Sequence, residues 1–520
     1  MPADAAPRPR VAVAAPNALA AAAGTRLAAQ GGNAVDAAVA AMLVTCVSEP
    51  GLVSLGGGAF LTLAVPGEPV VTVDGYVEMP GRGLPPHAFG RGTRDVVTTY
   101  GGRTAMTVGA GSVATPGAIA ALELAQRRSG LVPWALVVEP AVEVARDGFP
   151  MGRANDYYFT HVRDAVFADD PEVSAALHRP DGTPLRTGDR MHVPHLAGFL
   201  ERVAVQGADA LHRGDVARAL AEDMAEHGGL VTERDLAEFT PVVRAATQVP
   251  VGPWLLSTNP PPAIGGPVLA AMLLLLDGRP RSRWTDDDHR HLVAVLRAVL
   301  EHRAHELDVA GDRAVAGRRL LDDVRERGQT WLTAAPSTVH VSAVGADGTA
   351  CAVTASAGYG SGTTVPGTGV WLNNCLGEHE LNRGGLHSLA PGERLASNMA
   401  PTVGRHPDGA TLAIGSPGAD RITSALTQVL ASLAHGGYDL QAAVDLPRLH
   451  LSRSADGEEV LHVEADLELP ADLGPGGVLT RQEHDAHAMF FGGVGAAMLD
   501  ADGALSAAAD PRRAGATAVG

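Results

Sequence analysis

The stretch PSTVHVSAVGADGTACAVTASAGYGSGTTVPGTGVWLNN, residues 336–374, decides the fold of this chain. In residues 338–343, polar Thr, His and Ser alternate with Val and Ala, and this period of two predicts a half-buried strand. Residues 346–348 are Ala-Asp-Gly, in which glycine can take the positive φ of a tight turn. The β-leaning run of residues 349–356 then predicts a second strand that pairs antiparallel with the first.

The length of the turn fixes which residues of the two strands face each other. With a three-residue loop, Gly345 faces Thr349. Counting outward then places Thr338 opposite Ser356, at the open end of the hairpin. A loop with five glycines, residues 358–369, follows at once. The pattern alone fits either an ordinary hairpin with incidental hydroxyls or a site built on two facing hydroxyl groups.

Composition excludes several classes of partner. The 520 residues carry a formal net charge of −18, so no excess of cations is present to neutralise nucleic-acid phosphates or to bind an anionic membrane. The most apolar run, residues 267–276, is too short for a membrane span. Cys46, Cys351 and Cys375 lack metal-ligand spacing. We therefore expect no nucleic-acid or membrane partner, and neither a metal nor a cofactor.

Several segments, in order along the chain, resemble the gamma-glutamyltransferases, a family of N-terminal-nucleophile (Ntn) hydrolases. Residues 31–43, GGNAVDAAVAAML, resemble the opening of the large subunit, and residues 336–374 resemble the start of the small subunit. Residues 415–422, GSPGADRI, resemble the oxyanion loop, and residues 510–512, Asp-Pro-Arg, resemble the closing motif. The resemblance covers nearly the whole chain.

This resemblance implies a fold and a reaction. The fold would be a four-layer αββα sandwich of the α/β (α+β) class. The chain would cut itself between Ser337 and Thr338 into a large subunit, residues 1–337, and a small subunit, residues 338–520, which would stay bound to each other. The cleaved protein would hydrolyse or transfer an acyl group, such as γ-glutamyl, from a small-molecule amide or peptide-like substrate.

The resemblance also implies the catalytic residues. The threonine freed by cleavage, here Thr338, would be the nucleophile. A threonine hydroxyl needs a base, and the residue's own α-amine, with a pKa of ~7.7–8.0, would serve. Ser356 matches a family hydroxyl that hydrogen-bonds the nucleophile. The N–H groups of Gly418 and Ala419 match donors to the developing oxyanion.

Recognition of the substrate departs from the family pattern. Ser397 and Asn398 stand where the family has two serines that hold the substrate carboxylate. Glu378 preserves a carboxylate that contacts the substrate α-amine, whereas Cys375 replaces an amide beside it. Tyr76 occupies the place of an arginine that pairs with the α-carboxylate.

Loss of that arginine removes a strong bidentate contact, for which Arg82 is a candidate substitute. Gly358 also stands where the family has an asparagine. These changes favour a second hypothesis, a divergent relative acting on another substrate, such as a cephalosporin-type acylase or a C–C bond hydrolase. A third hypothesis, from a different class, is an uncleaved scaffold without catalytic activity.

Local signals predict several helix starts and one close contact. Asn17, Asn33 and Thr232 are predicted N-caps. The three glycines at 56–58 lack the Lys-Ser/Thr of a phosphate loop, and we expect them to allow close backbone packing instead.

Three further expectations concern the helical run before the hairpin and the N-terminus. His302 and His305 could share a helix face and bind a metal, but no HExxH order is present, and a solvated face is expected. The charged residues 312–333 are expected to form the flexible end of the large subunit. Near the N-terminus, Arg8 and Arg10 precede an alanine-rich run that loosely imitates a signal peptide, yet Pro16 and Asn17 interrupt this run. Residues 11–13 also match a family strand, so we expect a cytoplasmic protein.

Overall fold

The structure, a computed structural model, describes residues 10–100, 104–276, 278–308, 310–327, 339–418, 420–453, 458–473 and 479–520. Its strands, in chain order, are β1 (Val11–Ala15), β2 (Gly58–Ala64), β3 (Val71–Gly75), β4 (Arg94–Thr98), β5 (Thr104–Val108), β6 (Phe149–Pro150), β7 (Arg190–Met191), β8 (Val242–Ala245), β9 (Thr247–Val251), β10 (Trp254–Thr258), β11 (Val339–Gly345), β12 (Ala350–Ser356), β13 (Thr364–Val365), β14 (Val370–Trp371), β15 (Thr402–Arg405), β16 (Thr411–Gly415), β17 (Leu449–Arg453), β18 (Glu459–Glu464), β19 (Thr480–His484), β20 (Gly495–Leu499), β21 (Leu505–Ala509) and β22 (Ala516–Val519).

The helices lie in several groups between these strands along the chain. They are α1 (Ala18–Ala29), α2 (Ala34–Ser48), α3 (Ala118–Ser129), α4 (Trp134–Asp147), α5 (Arg153–Val166), α6 (Pro171–Leu177), α7 (Leu196–Gln206), α8 (Asp209–His212), α9 (Gly214–His227), α10 (Glu233–Glu238), α11 (Gly265–Leu275), α12 (Asp286–His302), α13 (Arg313–Arg327), α14 (Arg421–His435) and α15 (Leu440–Asp445). One turn of π-helix, Arg303–Leu307, extends α12.

Two antiparallel sheets stack face to face. The first has seven strands in the order β22-β1-β11-β12-β2-β3-β8, and the second has six in the order β21-β20-β16-β15-β10-β9. Helices α1 and α2 pack on the outer face of the first sheet, and α11 and α14 pack on that of the second. Small side chains such as Ala352 and Ala413 fill the space between the sheets. This arrangement confirms the predicted αββα sandwich.

The segments before and after residue 338 interleave within both sheets. In the first sheet, β11 and β12 lie between β1 and β2, so each strand of the hairpin is hydrogen-bonded to a strand of the other segment. In the second sheet, β10 pairs with β15. The core of the protein is therefore built jointly by the two segments.

Strand β11 is buried along its whole length, so the prediction of a half-buried strand is wrong. Its Val and Ala side chains pack against the helices, while the polar side chains face the second sheet. There the His340 ring bonds through Nδ1 to the Thr354 hydroxyl at 2.9 Å and through Nε2 to the Ser342 hydroxyl at 2.7 Å. Burial lowers the pKa of His340 to about 3. The polar face is thus satisfied inside the sandwich instead of by water.

The predicted N-caps are confirmed. The Asn17 carboxamide oxygen accepts a hydrogen bond from the Ala20 N–H, which begins α1. Asn33 and Thr232 each form a capping box, at the starts of α2 and α10. Because α2 packs on β11 and α1 packs on the neighbouring β1, the caps at Asn17 and Asn33 fix the scaffold beneath the hairpin.

Helix α13 contradicts the expected flexibility of residues 312–333 over its described part. The charged side chains of Arg313–Arg327 share the helix with an apolar stripe of Leu320, Leu321 and Val324, which are buried. The stripe packs against α11 and the core around it. The prediction of flexibility was based on the high charge of the segment. An amphipathic helix, however, needs only one apolar face to pack against a core, and its other faces can be charged. Residues 328–333 lie outside the described residues.

In the described ranges, no helix combines the length and the apolar character that crossing a bilayer requires.

Candidate active site

The hairpin β11–β12 places one predicted hydroxyl at its open end. Val339 pairs with Ala355, and the Gly345 N–H donates to the Thr349 carbonyl at 2.8 Å, which confirms the predicted register. Ser356 is the last residue of β12. Thr338 lies outside the described residues, so its position opposite Ser356 stays a prediction.

Close backbone packing surrounds Ser356. A methyl group built on Gly57 would lie 2.2 Å from the Ser356 carbonyl oxygen, and one on Gly56 would lie 2.5 Å from the Trp371 carbonyl oxygen. Real Cβ atoms do not approach oxygen so closely, and glycine is therefore required at both positions. The predicted role of the glycine run as a packing device is confirmed.

Ser356 itself is buried, not solvent-facing, and its hydroxyl is held by the loop that follows. The hydroxyl oxygen accepts a hydrogen bond of 3.0 Å from the Gly358 N–H. No other described residue is found to accept its proton. The hydroxyl can therefore donate toward the open end of the hairpin.

A short 3₁₀ turn, Cys375–Gly377, carries two predicted substrate residues into the same region. Asn373 holds the turn in place, because its carboxamide donates to the carbonyls of Gly56 at 2.8 Å and Ala114 at 2.9 Å and accepts from the Cys375 N–H. The Ala114 N–H also donates to the Asn373 Oδ1, at 3.1 Å, so all four polar capacities of this buried amide are used. Asn373 thus connects the segments on either side of residue 338.

Tyr76 lies beside this turn, as its predicted role requires. It is buried at the end of the first sheet, stacks on Phe60 with ring centroids 5.6 Å apart, and donates to the Cys375 sulfur at 3.7 Å. Burial, together with Cys375 and Glu378, raises the pKa of Tyr76 well above its ordinary value, while the Ser397 hydroxyl acts in the opposite direction. The ring is therefore a neutral donor in a largely apolar wall.

Glu378 is a buried carboxyl whose oxygens have no hydrogen-bond partner among the described residues. Burial raises its pKa well above the ordinary range, and Glu380 adds to the effect. An unpartnered buried carboxyl is costly unless a ligand satisfies it. Such a group is suited to bind a cationic or hydrogen-bond-donating part of a substrate.

The Cys375 thiol is an unsuitable nucleophile. Burial raises its pKa well above the ordinary value, and the adjacent Glu378 raises it further. A thiol in this environment stays protonated.

Ser397 and Asn398 are also buried and are anchored to the start of α11. The Ser397 carbonyl accepts hydrogen bonds from the N–H groups of Ile264 and Gly265, at 2.8 and 3.0 Å. A methyl group on Gly265 would lie only 2.0 Å from the Asn398 carbonyl oxygen. The structure brings Tyr76, Cys375, Glu378 and Ser397 into one region, and their roles in substrate binding stay a prediction.

Gly418 ends the described part of the predicted oxyanion loop, and Ala419 lies outside the described residues. Gly418 has φ of 127° and packs so tightly that a methyl group on it would lie 2.6 Å from the Gly492 Cα. Its carbonyl accepts from the Arg421 N–H at 3.0 Å, and no described acceptor is found for its own N–H. This N–H remains available to a ligand.

A buried chain of hydrogen bonds through a Ser, a His and an Asp side chain holds the predicted oxyanion loop in place. The sequence analysis assigned these three residues no role. The His450 ring bonds through Nε2 to the Asp420 carboxylate at 3.0 Å and through Nδ1 to the Ser424 hydroxyl at 2.9 Å. Burial alone would raise the pKa of Asp420, but His450 and Arg421 hold it below its ordinary value. Because Ser424 and His450 are inaccessible, the chain positions the loop and is not a second nucleophilic site.

Arg82 is already engaged. Its guanidinium pairs with Glu78 at 2.9 Å, Asp235 at 3.3 Å and Glu238 at 3.3 Å. Arg394, which is mostly buried, pairs with Glu78 at 2.7 Å and lies over the Phe239 ring. Neither arginine has a free bidentate face to replace the one that Tyr76 displaces.

The histidine-rich helix shows no grouping of three or more metal-ligand side chains, and neither does any other described part of the chain. His289, on the same helix, is buried and stacks on Trp284 with centroids 5.6 Å apart, whereas His302 is half-buried. His305 is exposed, and its Nδ1 lies 2.9 Å from the Glu301 carbonyl oxygen.

Comparisons with known proteins agree with this geometry. A family model described as gamma-glutamyltranspeptidase matches residues 20–520. The acylase ACY 1 proenzyme of Pseudomonas sp. (strain SE83) is 31% identical over 461 residues, which cover 83% of this chain and 80% of that protein. The glutathione hydrolase proenzyme of Escherichia coli (strain K12) is 28% identical over 463 residues, covering 81% and 77%.

The same fold is found among solved structures. The cephalosporin acylase from Bacillus halodurans superimposes with a TM-score of 0.77 at 22% identity, over 100% of this chain and 98% of that one. At this level of identity the likeness establishes the fold alone.

Proposed function

This chain belongs to the gamma-glutamyltranspeptidase family, and on that premise we propose that it is an autoprocessing amide hydrolase or acyltransferase whose nucleophile is Thr338. Its relatives are hydrolases and acylases that are made as proenzymes, and the chain is accordingly an enzyme. The observation that carries the proposal is the hairpin register, which ends with the buried Ser356 hydroxyl one pair beyond Val339 and Ala355.

Maturation would begin with attack of the Thr338 hydroxyl oxygen on the Ser337 carbonyl carbon. The C–N bond between the two residues breaks as the Thr338 nitrogen takes a proton, which leaves an ester. Water then cleaves the ester and yields the Ser337 carboxylate, the free Thr338 hydroxyl and its free α-amine. The amine has a pKa of ~7.7–8.0 and can exchange a proton near neutral pH.

Turnover would use the same hydroxyl. The α-amine takes the hydroxyl proton while the oxygen attacks the substrate carbonyl, and the negative charge develops on the carbonyl oxygen. The N–H of Gly418 has no described acceptor and supports a role as donor to that oxygen. Collapse of the intermediate expels the amine, which receives the proton. Water or a second amine then takes the acyl group from Thr338.

Interleaved strands would keep the two subunits together after cleavage. Because β11 and β12 are hydrogen-bonded between β1 and β2, a cut before Thr338 breaks one peptide bond and leaves the sheet pairing intact. Asn373 adds two buried hydrogen bonds between the segments.

Glu378 supports an acyl group that carries a cationic amine. The carboxyl is buried, lacks a partner among the described residues, and lies beside the Tyr76–Cys375 wall. An ammonium group of the substrate would satisfy it and would favour its ionised form. A γ-glutamyl group has such an amine.

Tyr76 supports a second candidate, an acyl group without an α-carboxylate. A neutral phenol stands where relatives with γ-glutamyl substrates would need a cation, and Arg82 is committed to three carboxylates. Burying a substrate carboxylate against this wall would be costly. The 4-aminobutyryl group, which is γ-glutamyl without its α-carboxylate, meets both observations.

A denaturing gel tests the maturation. Purified wild-type protein should give two fragments, with the smaller one starting at Thr-Val-His on N-terminal sequencing, while Thr338→Ala should remain a single chain of 53.3 kDa. Thr183→Ala, on an exposed loop, is the matched control and should be cleaved. Active wild-type protein that stays as one chain would refute the proposal.

Three p-nitroanilides test the acyl group. γ-Glutamyl-p-nitroanilide carries both the α-amine and the α-carboxylate, 4-aminobutyryl-p-nitroanilide only the amine, and glutaryl-p-nitroanilide only the carboxylate. We expect both amine-bearing anilides to be preferred over the glutaryl compound. Glu378→Gln should raise their KM about 10–100-fold, in line with the loss of a charged hydrogen bond, and leave the glutaryl compound unaffected. Preference for the glutaryl anilide would refute the role of Glu378.

A further inference from the structure

A cavity of about 150 Å³ lies beside the oxyanion loop, and no part of the proposed acyl pocket lines it. We call it the Arg421–Arg513 cavity, after its two cations. Its wall is formed by residues from α14, from α5, from strands β18 and β19, and from the 3₁₀ turn Met489–Phe491.

Aromatic rings form most of this wall. The Phe490 ring stacks on the His484 ring with centroids 4.5 Å apart and an interplanar angle of 16°. The centroid of the His462 ring lies 4.3 Å from that of Phe490. Tyr100 and Tyr157, with centroids 5.7 Å apart, also line the cavity. Flat rings of this kind favour a planar ligand that can stack on them.

Two arginines, Arg421 and Arg513, line the cavity in a protein whose net charge is −18, and none of its described lining residues carries a carboxylate. The Arg421 guanidinium is already paired through Nη1 with the Asp420 carboxylate, which lies 2.7 Å away behind the wall, so Arg513 supplies the unbalanced positive charge. The Arg421 guanidinium lies 4.7 Å above the Phe490 ring and donates to the Phe490 carbonyl at 3.0 Å. The Nε atom of Arg513 is buried without a partner among the described residues. Arginine stays charged at any physiological pH and pairs well with a carboxylate.

The two imidazoles do not add to this charge near neutral pH. Burial and the neighbouring cationic groups lower the pKa of His462 to about 3. Burial also lowers the pKa of His484, against the opposing effect of Glu464. Their rings are neutral, flat surfaces, so the attraction for an anion rests mainly on the Arg513 guanidinium, because Arg421 is paired with Asp420.

The cavity adjoins the catalytic region through the oxyanion loop. The Arg421 N–H donates to the Gly418 carbonyl, and Gly418 packs against Gly492, directly after the turn that carries Phe490. On another side of the cavity, the ring centroids of Tyr100 and Tyr359 lie 6.4 Å apart, and Tyr359 follows Ser356 by three residues. Glu378, the proposed amine contact of the acyl group, does not line the cavity.

We propose that the Arg421–Arg513 cavity is the subsite for the amine half of the substrate, and that it binds a planar aromatic amine bearing a carboxylate. The proposal rests on the proposed function, in which an amine leaves the acyl carbon or accepts the acyl group. The carboxylate pairs with the Arg513 guanidinium, whose Nε has no described partner, beside the Arg421 guanidinium that is paired with Asp420. The ring stacks between Phe490 and the tyrosines, and the amino group points toward the oxyanion loop.

A matched pair of aromatic amines tests this subsite without any turnover. Isothermal titration of purified protein with 5-amino-2-nitrobenzoate and with 4-nitroaniline compares two nitroanilines, of which only the first has a carboxylate. We expect the carboxylate to tighten binding about tenfold or more. Arg513→Gln should remove that advantage and leave 4-nitroaniline unchanged, while Phe490→Leu should weaken both compounds.

Arg202→Gln is the matched control, because Arg202 pairs with Asp215 on an exposed helix surface and should not affect either compound. Equal affinity for the two amines, or an effect of Arg513→Gln no larger than that of Arg202→Gln, would overturn the proposal. A loss of unfolding temperature in Arg513→Gln would be checked with Arg513→Lys, which keeps the charge and should retain part of the advantage.

The titration separates this proposal from the proposed function. If no p-nitroanilide is turned over but the carboxylate advantage depends on Arg513, the cavity stands and the acyl chemistry fails. If the anilides are turned over and the two amines bind equally, the subsite fails and the chemistry stands.

Discussion

The Ser356 hydroxyl accepts a hydrogen bond of 3.0 Å from the N–H of Gly358, two residues along the chain. This contact uses one lone pair of the hydroxyl and leaves its proton without a described acceptor, at the open end of the β11–β12 hairpin. The second residue after the strand thus orients the last side chain of the strand.

Ser356→Ala should lower kcat about 10–100-fold, because a hydrogen bond to a group that becomes charged contributes roughly 1.5–3 kcal/mol. KM should change little, since the bond serves the nucleophile and not the substrate. Ser356→Thr keeps the hydroxyl and is the matched control. Steady-state kinetics with whichever p-nitroanilide the wild-type protein accepts gives the answer, and equal kcat for both variants would contradict it.

Gly358 and Gly367 offer a matched pair with similar positive φ angles, 62° and 67°. A methyl group on Gly358 would lie 2.3 Å from the Asn374 Oδ1, whereas nothing lies within 4 Å of one on Gly367. Gly367→Ala should cost about 1–2 kcal/mol of unfolding free energy from conformational strain alone. Gly358→Ala should cost more and should also lower kcat/KM.

The readouts for this pair are the thermal unfolding midpoint and kcat/KM. If both variants lose equally in unfolding midpoint and in kcat/KM, the Asn374 side chain can move aside at little cost, and the prediction is contradicted. Gly358→Asn, which restores the family residue, should behave like Gly358→Ala, since Asn374 and Glu378 already fill the space.

The pH dependence of stability should carry a contribution from Glu49. Burial raises its pKa from 4.5 to about 7, against the opposing effect of a hydrogen bond from Asn17. The folded state therefore binds more protons than the unfolded state between these values, and stability falls as pH rises from 4.5 toward 7. The total loss is about 3 kcal/mol, at 1.36 kcal/mol per pKa unit.

Glu49→Gln removes this titration. Unfolding midpoints measured from pH 4.5 to 8 should fall more steeply with pH for the wild-type protein than for the variant. Parallel curves would contradict the assignment.

Helix α13 should contribute to stability through its apolar stripe. Leu320 is fully buried, so Leu320→Ala should lower the unfolding free energy by about 2–5 kcal/mol. Arg318, exposed on the same helix, is the control, and Arg318→Ala should change it by less than about 0.5 kcal/mol. Denaturant titration compares them, and a negligible effect of Leu320→Ala would restore the expected flexible segment.

Much of the fold followed from local chemistry. The Ala346-Asp347-Gly348 turn set the register of the hairpin, because a turn of fixed length leaves one pairing for the strands. The caps at Asn17, Asn33 and Thr232 marked helix starts, since a side-chain oxygen there satisfies free N–H groups. The candidate residues Tyr76, Cys375, Glu378 and Ser397 came from resemblance to a family, and the structure brings them together.

Other features were decided only by tertiary structure. The alternation of residue types indicated that one face of β11 is polar. Whether that face meets water or a second sheet depends on residues far along the chain. One of them is Gly495, whose carbonyl accepts a hydrogen bond from the Ser342 hydroxyl. Arg82 was a candidate carboxylate ligand until Asp235 and Glu238 were found beside it. The Arg421–Arg513 cavity assembles rings from residues 100, 157, 462, 484 and 490. Sequence sets what each residue can bond to over a few neighbours, while long-range packing determines which of those bonds are already taken.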